Sequence, residues 1–167
     1  MIFRQCSAGD VGRVWSIIND AKRLMQADGR SQWTDEYPSL GRIEADVRSG
    51  DAYVLCADDG TAAAYAYITA APEPVYAALR GRWLAGGAYV VVHRLAVAEA
   101  HRGEGLARRM LMLAEDVCRR KGAVSIKVDT NYDNAAMLHL LASLGYSRCG
   151  TVSYGPRGER IAFEKIV

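Results

Sequence analysis

The sequence has no apolar run approaching the roughly 18 residues that a membrane-crossing helix needs, and its opening stretch, MIFRQCSAGD, holds no apolar signal core. The chain is therefore expected to stay in the cytoplasm, with no membrane partner. Cysteine is scarce: Cys6, Cys56, Cys118 and Cys149 are far apart, no C-x-x-C pair occurs, and only three histidines accompany them. This pattern argues against a structural zinc site and gives no metal to expect, so the thiols read as free and buried in a reducing compartment. An excess of one charge is missing too. A formal net charge of +2 supplies no field for nucleic acid, and Arg102, Arg108, Arg109, Arg119, Arg120 and Lys121 read as a solvated helix face. No internal repeat or low-complexity tract appears.

What is present is ordinary globular sequence, half of it apolar, in 167 residues, which suits one domain over 1–167. Its organising stretch runs from Tyr89 to Gly122. A β-branched run, Val90 to Val92, flows through Leu95 and Val97 into a loop holding Arg102, Gly103 and Gly105. Leu106, Met110, Leu113, Val117 and Cys118 then recur at helical steps, and Gly122 stops the helix. The first turn of such a helix has unpartnered N–H groups and the positive end of the dipole, so it attracts phosphate. The two glycines let a diphosphate approach the backbone, and Arg102 adds a charged fork at the rim.

A Walker-type loop is excluded, because Leu106, Ala107 and Arg108 supply neither the Lys nor the Ser or Thr it requires. A dinucleotide fingerprint needs glycine where Arg108 stands, although Asp129 lies at a suitable later strand end.

In chain order, Ile2 to Cys6 is a strand, and Ser7 with Asp10 forms a capping box. Val11, Val14, Trp15, Ile18, Ala21 and Met25 make the core stripe of a helix running to about Met25. Gln26 to Pro38 is a loop whose aromatics either line a pocket or anchor it on the core. Ser39 caps a short helix with Leu40, Ile43 and Val47 inward, ended by Gly50. Ala52 to Ala57 and Thr61 to Ala70 form a hairpin about Asp58, Asp59 and Gly60. Between Glu73 and Gly87 only a helical turn near Tyr76 to Leu79 is legible. Val124 to Val128 is a strand parallel to the one before the central helix, because a crossover helix joins them. Asn134 caps a helix buried through Met137, Leu138, Leu141 and Leu144 and ended by Gly145. Tyr146 to Val152 and Arg160 to Ile166 close the chain across the turn Gly155, Pro156, Arg157, Gly158.

The loop Arg102-x-x-Gly105-x-Ala107 resembles the coenzyme A pyrophosphate loop of the GNAT superfamily of N-acetyltransferases. Asn134, with Gly145-Tyr146 downstream, is similar to that family's N-x-x-A-x-x-L-Y-x-x-x-G-[FY] block. The stretches VHRLAV, DTNYDN and LLASLGYSRCG, with the early pair Gln32-Trp33, look like an uncharacterised bacterial branch. The element order β-α-α-β-β-β-α-β-α-β-β fits as well. The resemblance implies a mixed α/β fold, with a central, mostly antiparallel sheet, one parallel pair (the fourth and fifth strands) and about four flanking helices. It implies acetyl-CoA as cosubstrate along Leu95, Ala96 and Val97, with its pyrophosphate on the N–H groups of Arg102, Gly103, Glu104, Gly105, Leu106 and Ala107. Asn134 would reach the pantetheine arm.

The family's frequent acid, a Tyr, is replaced by Leu141, which leaves Tyr146, His139, Cys149 or water to protonate the thiolate. His93 is the first candidate base, followed by Glu99 and Asp129. Gln32, Trp33 and Tyr37 are expected on the acceptor side. The function so implied is acetyl transfer, by direct attack in a ternary complex, to a primary amine of an unidentified small molecule or peptide. The alternative is a catalytically silent CoA-binding regulatory module, which Leu141 favours. Homodimer formation is left open.

Overall fold

The computed structural model describes residues 1–167 as two compact units, Met1–Thr69 with His93–Leu113 and Ala70–Val92 with Ala114–Val167. Strand β5 (Tyr89–Val97) and helix α3 (Leu106–Arg120) each contribute to both.

The first unit adds β1 (Ile2–Gln5), α1 (Val11–Ala27), α2 (Leu40–Arg48), β2 (Ala52–Cys56) and β3 (Ala62–Thr69), in sheet order β1-β2-β3-β5. The Ser7–Asp10 box is present, with the Ser7 N–H and Oγ donating to Asp10 Oδ2 at 2.8 and 2.7 Å. Arg4 grips the same carboxylate through two nitrogens, which holds its pKa well below the usual range. This box opens a 3₁₀ turn, Ala8–Asp10, and α1 follows it and runs on to Ala27. The β2–β3 hairpin turns at Gly60, whose φ of 83° suits glycine. Its alanines Ala62, Ala63, Ala64 and Ala66 are all buried, and these small side chains let α1 lie close against β3. The core gathers Val14, Ile17, Ile18, Ile43, Val54 and Tyr65, together with Trp33 at 6% exposure. Of the two readings of that aromatic loop, Trp33 thus takes the anchoring one.

The second unit holds β4 (Arg80–Gly81), the start of β5, β6 (Ser125–Thr130), α4 (Ala135–Ser143), β7 (Ser147–Ser153) and β8 (Glu159–Ile166). Its order is β5-β6-β8-β7-β4. Tyr89–Val91 pair in parallel with Ser125–Lys127, whereas β1 with β2, β2 with β3, β4 with β7, β6 with β8 and β7 with β8 pair antiparallel. The fold is thus the mixed α/β, mostly antiparallel one expected, with four helices.

Strand β4 escaped the sequence reading. It exists because Gly81 faces Gly150 of β7 so closely that a Cβ on either would meet backbone oxygen at 2.0 or 2.2 Å. Glycine inside strands marks such close approach. Helix α4 buries only Leu141 fully, while Met137, Leu138 and Leu144 stay half-buried, so its apolar face is narrower than its composition suggests. Glu164, fully buried, accepts from Ser125 Oγ and from the amides of Leu84 and Ala85, which ties down the irregular segment after β4. No helix is long and apolar enough to cross a membrane.

Candidate functional site

The loop before α3 has the geometry its glycines foretell. Gly103 and Gly105 sit at φ of 84° and 74°, where a Cβ is disfavoured, and no atom lies within 4 Å of where either Cβ would stand. Neither position is crowded by another part of the chain. The Gly105 carbonyl accepts from Arg109 N at 3.0 Å, so the first-turn amides of α3 precede the intrahelical ladder. Arg102 is steadied by the Asp20 carbonyl at 3.4 Å and lies 3.8 Å from Glu99, while Glu104 meets His101 Nδ1 at 3.1 Å.

In the preceding strand, Arg94 is the chain's one non-glycine residue at positive φ, 52°. Such a residue is costly in a strand unless its surroundings hold it. They do: Nε and Nη2 meet the two oxygens of Asp46 at 2.7 and 2.8 Å, and Nη1 donates to Tyr37 Oη at 3.0 Å. Tyr65 Oη donates to Asp46 Oδ2 at 2.8 Å, and the guanidinium lies over the Tyr67 ring. Beyond Arg94, Ala98 N–H bonds the Ala63 carbonyl of β3 at 2.8 Å. By strand alternation the backbone groups of Leu95 and Val97 then face away from β3.

His93 stacks on Tyr67 and is surrounded so that burial, with the charges of Arg94 and Arg42, pushes its pKa down to about 3. It is therefore neutral near pH 7: a hydrogen-bond acceptor, but a weak base. An unfolded histidine takes up a proton below about 6.5 that the folded one refuses. Its stabilising contribution is present above pH 6.5 and falls by about 1.4 kcal/mol per pH unit toward pH 3. Urea midpoints for the wild type and His93→Gln should diverge over that window, with the variant less acid-sensitive; parallel curves would refute this.

Of the remaining expected residues in the first unit, Gln32 and Tyr37 are half-buried and Trp33 lies in the core. In the second unit, Asn134 caps α4, accepting from Met137 N at 3.3 Å, and its Nδ2 donates to Thr130 Oγ1 at 3.1 Å. The second Nδ2 hydrogen is left for another acceptor. Tyr146 is buried with no partner for its hydroxyl, and burial pushes that hydroxyl's pKa well up. Leu141, where the resemblance anticipates Tyr, is fully buried.

Sequence reasoning missed the Asp46–Arg94 pair, although Asp46 falls three residues after Ile43 on the inward stripe of α2. It also missed that Tyr76 and Tyr154 both donate to Asp129 at 2.8 Å, an association between distant segments that leaves no local signal.

The family model for the Acetyltransferase (GNAT) family matches residues 18–146. A GNAT-family acetyltransferase structure from Streptococcus agalactiae is 30% identical, with a TM-score of 0.88 over 99% of this chain and 95% of that one. Ribosomal-protein-alanine N-acetyltransferase from Brucella melitensis superposes with a TM-score of 0.72 at 20% identity, covering 100% of both chains. The yncA protein of Salmonella typhimurium, solved with its cofactor acetyl-CoA, gives 0.70 at 21% identity over 99% and 93%. No curated protein matches the chain.

Proposed function

The chain belongs to the GNAT acetyltransferase family, and from that premise we propose that it moves the acetyl group of acetyl-CoA to a primary amine by direct attack, without an acyl-enzyme. The observation that carries this reading is the open loop at Gly103 and Gly105 leading into the first turn of α3. Backbone amides from Arg102 to Ala107 would hold the pyrophosphate. Leu95, Ala96 and Val97 would run beside the pantetheine arm, and the free Nδ2 hydrogen of Asn134 would serve the same arm. Acetyl-CoA brings the activated acyl carbon; the chain's part is to hold thioester and amine in reacting geometry, a large share of the acceleration in such a step.

His93, neutral, would accept a hydrogen bond from the incoming amine rather than act as a strong base. Tyr146 keeps its proton more tightly than an ordinary tyrosine, so the departing thiolate is assigned a proton from water. Gln32 and Tyr37, backed by buried Trp33, are assigned to the acceptor side.

Calorimetric titration of acetyl-CoA into the wild-type protein, followed by thiol release with a panel of primary amines, tests the reading. Micromolar binding and amine-dependent release are expected, and a folded protein that binds no acetyl-CoA would overturn it. The buried Leu141 favours one second reading, a CoA-binding module without transferase activity. Slow hydrolysis indifferent to every amine would support that instead.

A further inference from the structure

Asp129 lies on β6 beyond Lys127, the last residue of that strand paired with β5, and opposite Ala162 of β8. Two distant segments converge on it. Tyr76, from the 3₁₀ turn Pro74–Ala78, and Tyr154, before the turn Gly155–Arg157, both donate their hydroxyls to Oδ2 at 2.8 Å. Tyr76 is 3% exposed, so its phenol is a fixed part of the wall. Both bonds fall on the same oxygen, and Asp129 itself is half-buried. The carboxylate is thus clamped through one oxygen, which fixes the direction in which the other is presented.

The surroundings say which donor. Tyr76 lies 5.0 Å from the Trp83 ring and 6.4 Å from the Tyr89 ring. The rings in this part of the unit already take cations on their faces: Lys127 Nζ stands 4.0 Å over Trp83 and 3.8 Å over Tyr89, and the Arg157 guanidinium 5.0 Å over Tyr154. A carboxylate oxygen beside aromatic rings suits an ammonium group. The chain's own cations set a limit, however. Arg157 and Arg160 act on Asp129, and a polycation would bring its further charges against them.

We propose that Asp129, oriented by Tyr76 and Tyr154, anchors the amine of the acceptor, and that the acceptor is a primary amine with a single positive charge rather than a polyamine. The proposal rests on the acetyltransfer reading and deepens it by naming the group that recognises the amine.

The test uses the full chain with carboxyl-¹³C aspartate, the Asp129 signal being assigned by its loss in Asp129→Asn. Titration with phenethylamine, a monocation, is expected to give a saturable shift of that signal, with spermidine roughly tenfold weaker or more. No shift with either amine, or equal binding of both, would overturn the proposal.

In thiol-release assays Asp129→Asn should raise the phenethylamine KM roughly 10- to 100-fold while leaving acetyl-CoA binding unchanged. The KM for hydroxylamine, uncharged at neutral pH, should rise far less in the same variant. Equal loss with both nucleophiles would mean a merely structural role and would refute the assignment. A saturable Asp129 shift in a protein that binds no acetyl-CoA would instead defeat the transferase reading and leave the amine site standing. Tyr76→Phe with Tyr154→Phe, which keeps both rings, should reproduce a weaker form of the KM effect.

Discussion

Replacing Asp46 by alanine is expected to destabilise the first unit by about 3–5 kcal/mol, read as a lower urea midpoint at unchanged m-value. The carboxylate is 2% exposed and its partner Arg94 7%. Truncation would therefore leave a guanidinium in the interior without its bidentate acceptor, and Tyr65 would lose the acceptor for its hydroxyl. Asp46→Asn keeps an oxygen for Tyr65 but removes the charge, and should fall between the two. Arg94→Gly separates backbone from charge: glycine relieves a left-handed conformation costing about 1–2 kcal/mol, yet leaves Asp46 buried and unpaired. A net loss of stability in that variant is expected. A gain would mean that backbone strain outweighs the ion pair, and the account of Arg94 would be wrong.

Gly105→Glu is expected to lower acetyl-CoA affinity roughly 100-fold or more, about 2.7 kcal/mol, in calorimetric titration of a protein that still folds. Two effects act together. A side chain at φ of 74° is disfavoured, and a carboxylate placed before the first turn of α3 would repel the pyrophosphate. Folding should survive, because Gly105 is exposed and its missing Cβ would touch nothing within 4 Å. Gly105→Ala, with the strain but not the charge, should lose less. Unchanged affinity in Gly105→Glu would reduce the loop to a turn.

Features carried by neighbouring residues were legible in the sequence. The Ser7–Asp10 box, the Asp58-Asp59-Gly60 turn, the Gly103 and Gly105 loop and the Asn134 cap each rest on side chains within a few positions of one another, where local chemistry decides. What escaped was non-local. Strand β4 is two residues long and takes its place from Gly150, some seventy positions away. Arg94 reads as an ordinary strand residue until Asp46 is seen to hold it. The Asp129 grouping draws on three separated turns and strand ends. His93 stood out in the sequence, but its depressed basicity comes first from burial and then from the charges of Arg94 and Arg42, and neither its burial nor Arg42 is visible to spacing.

The three tryptophans divide the molecule into two optical channels. Trp33 sits in the core of the first unit and Trp15 packs against it under the Lys22 ammonium. Trp83 belongs to the second unit, its indole N–H bonded to the Tyr76 carbonyl at 3.1 Å. A Trp83→Phe chain therefore emits from the first unit alone, and the wild-type spectrum minus this one isolates the second. Fluorescence followed through a urea titration should then report whether Asp46→Ala dims one channel before the other, or whether both melt at a single midpoint.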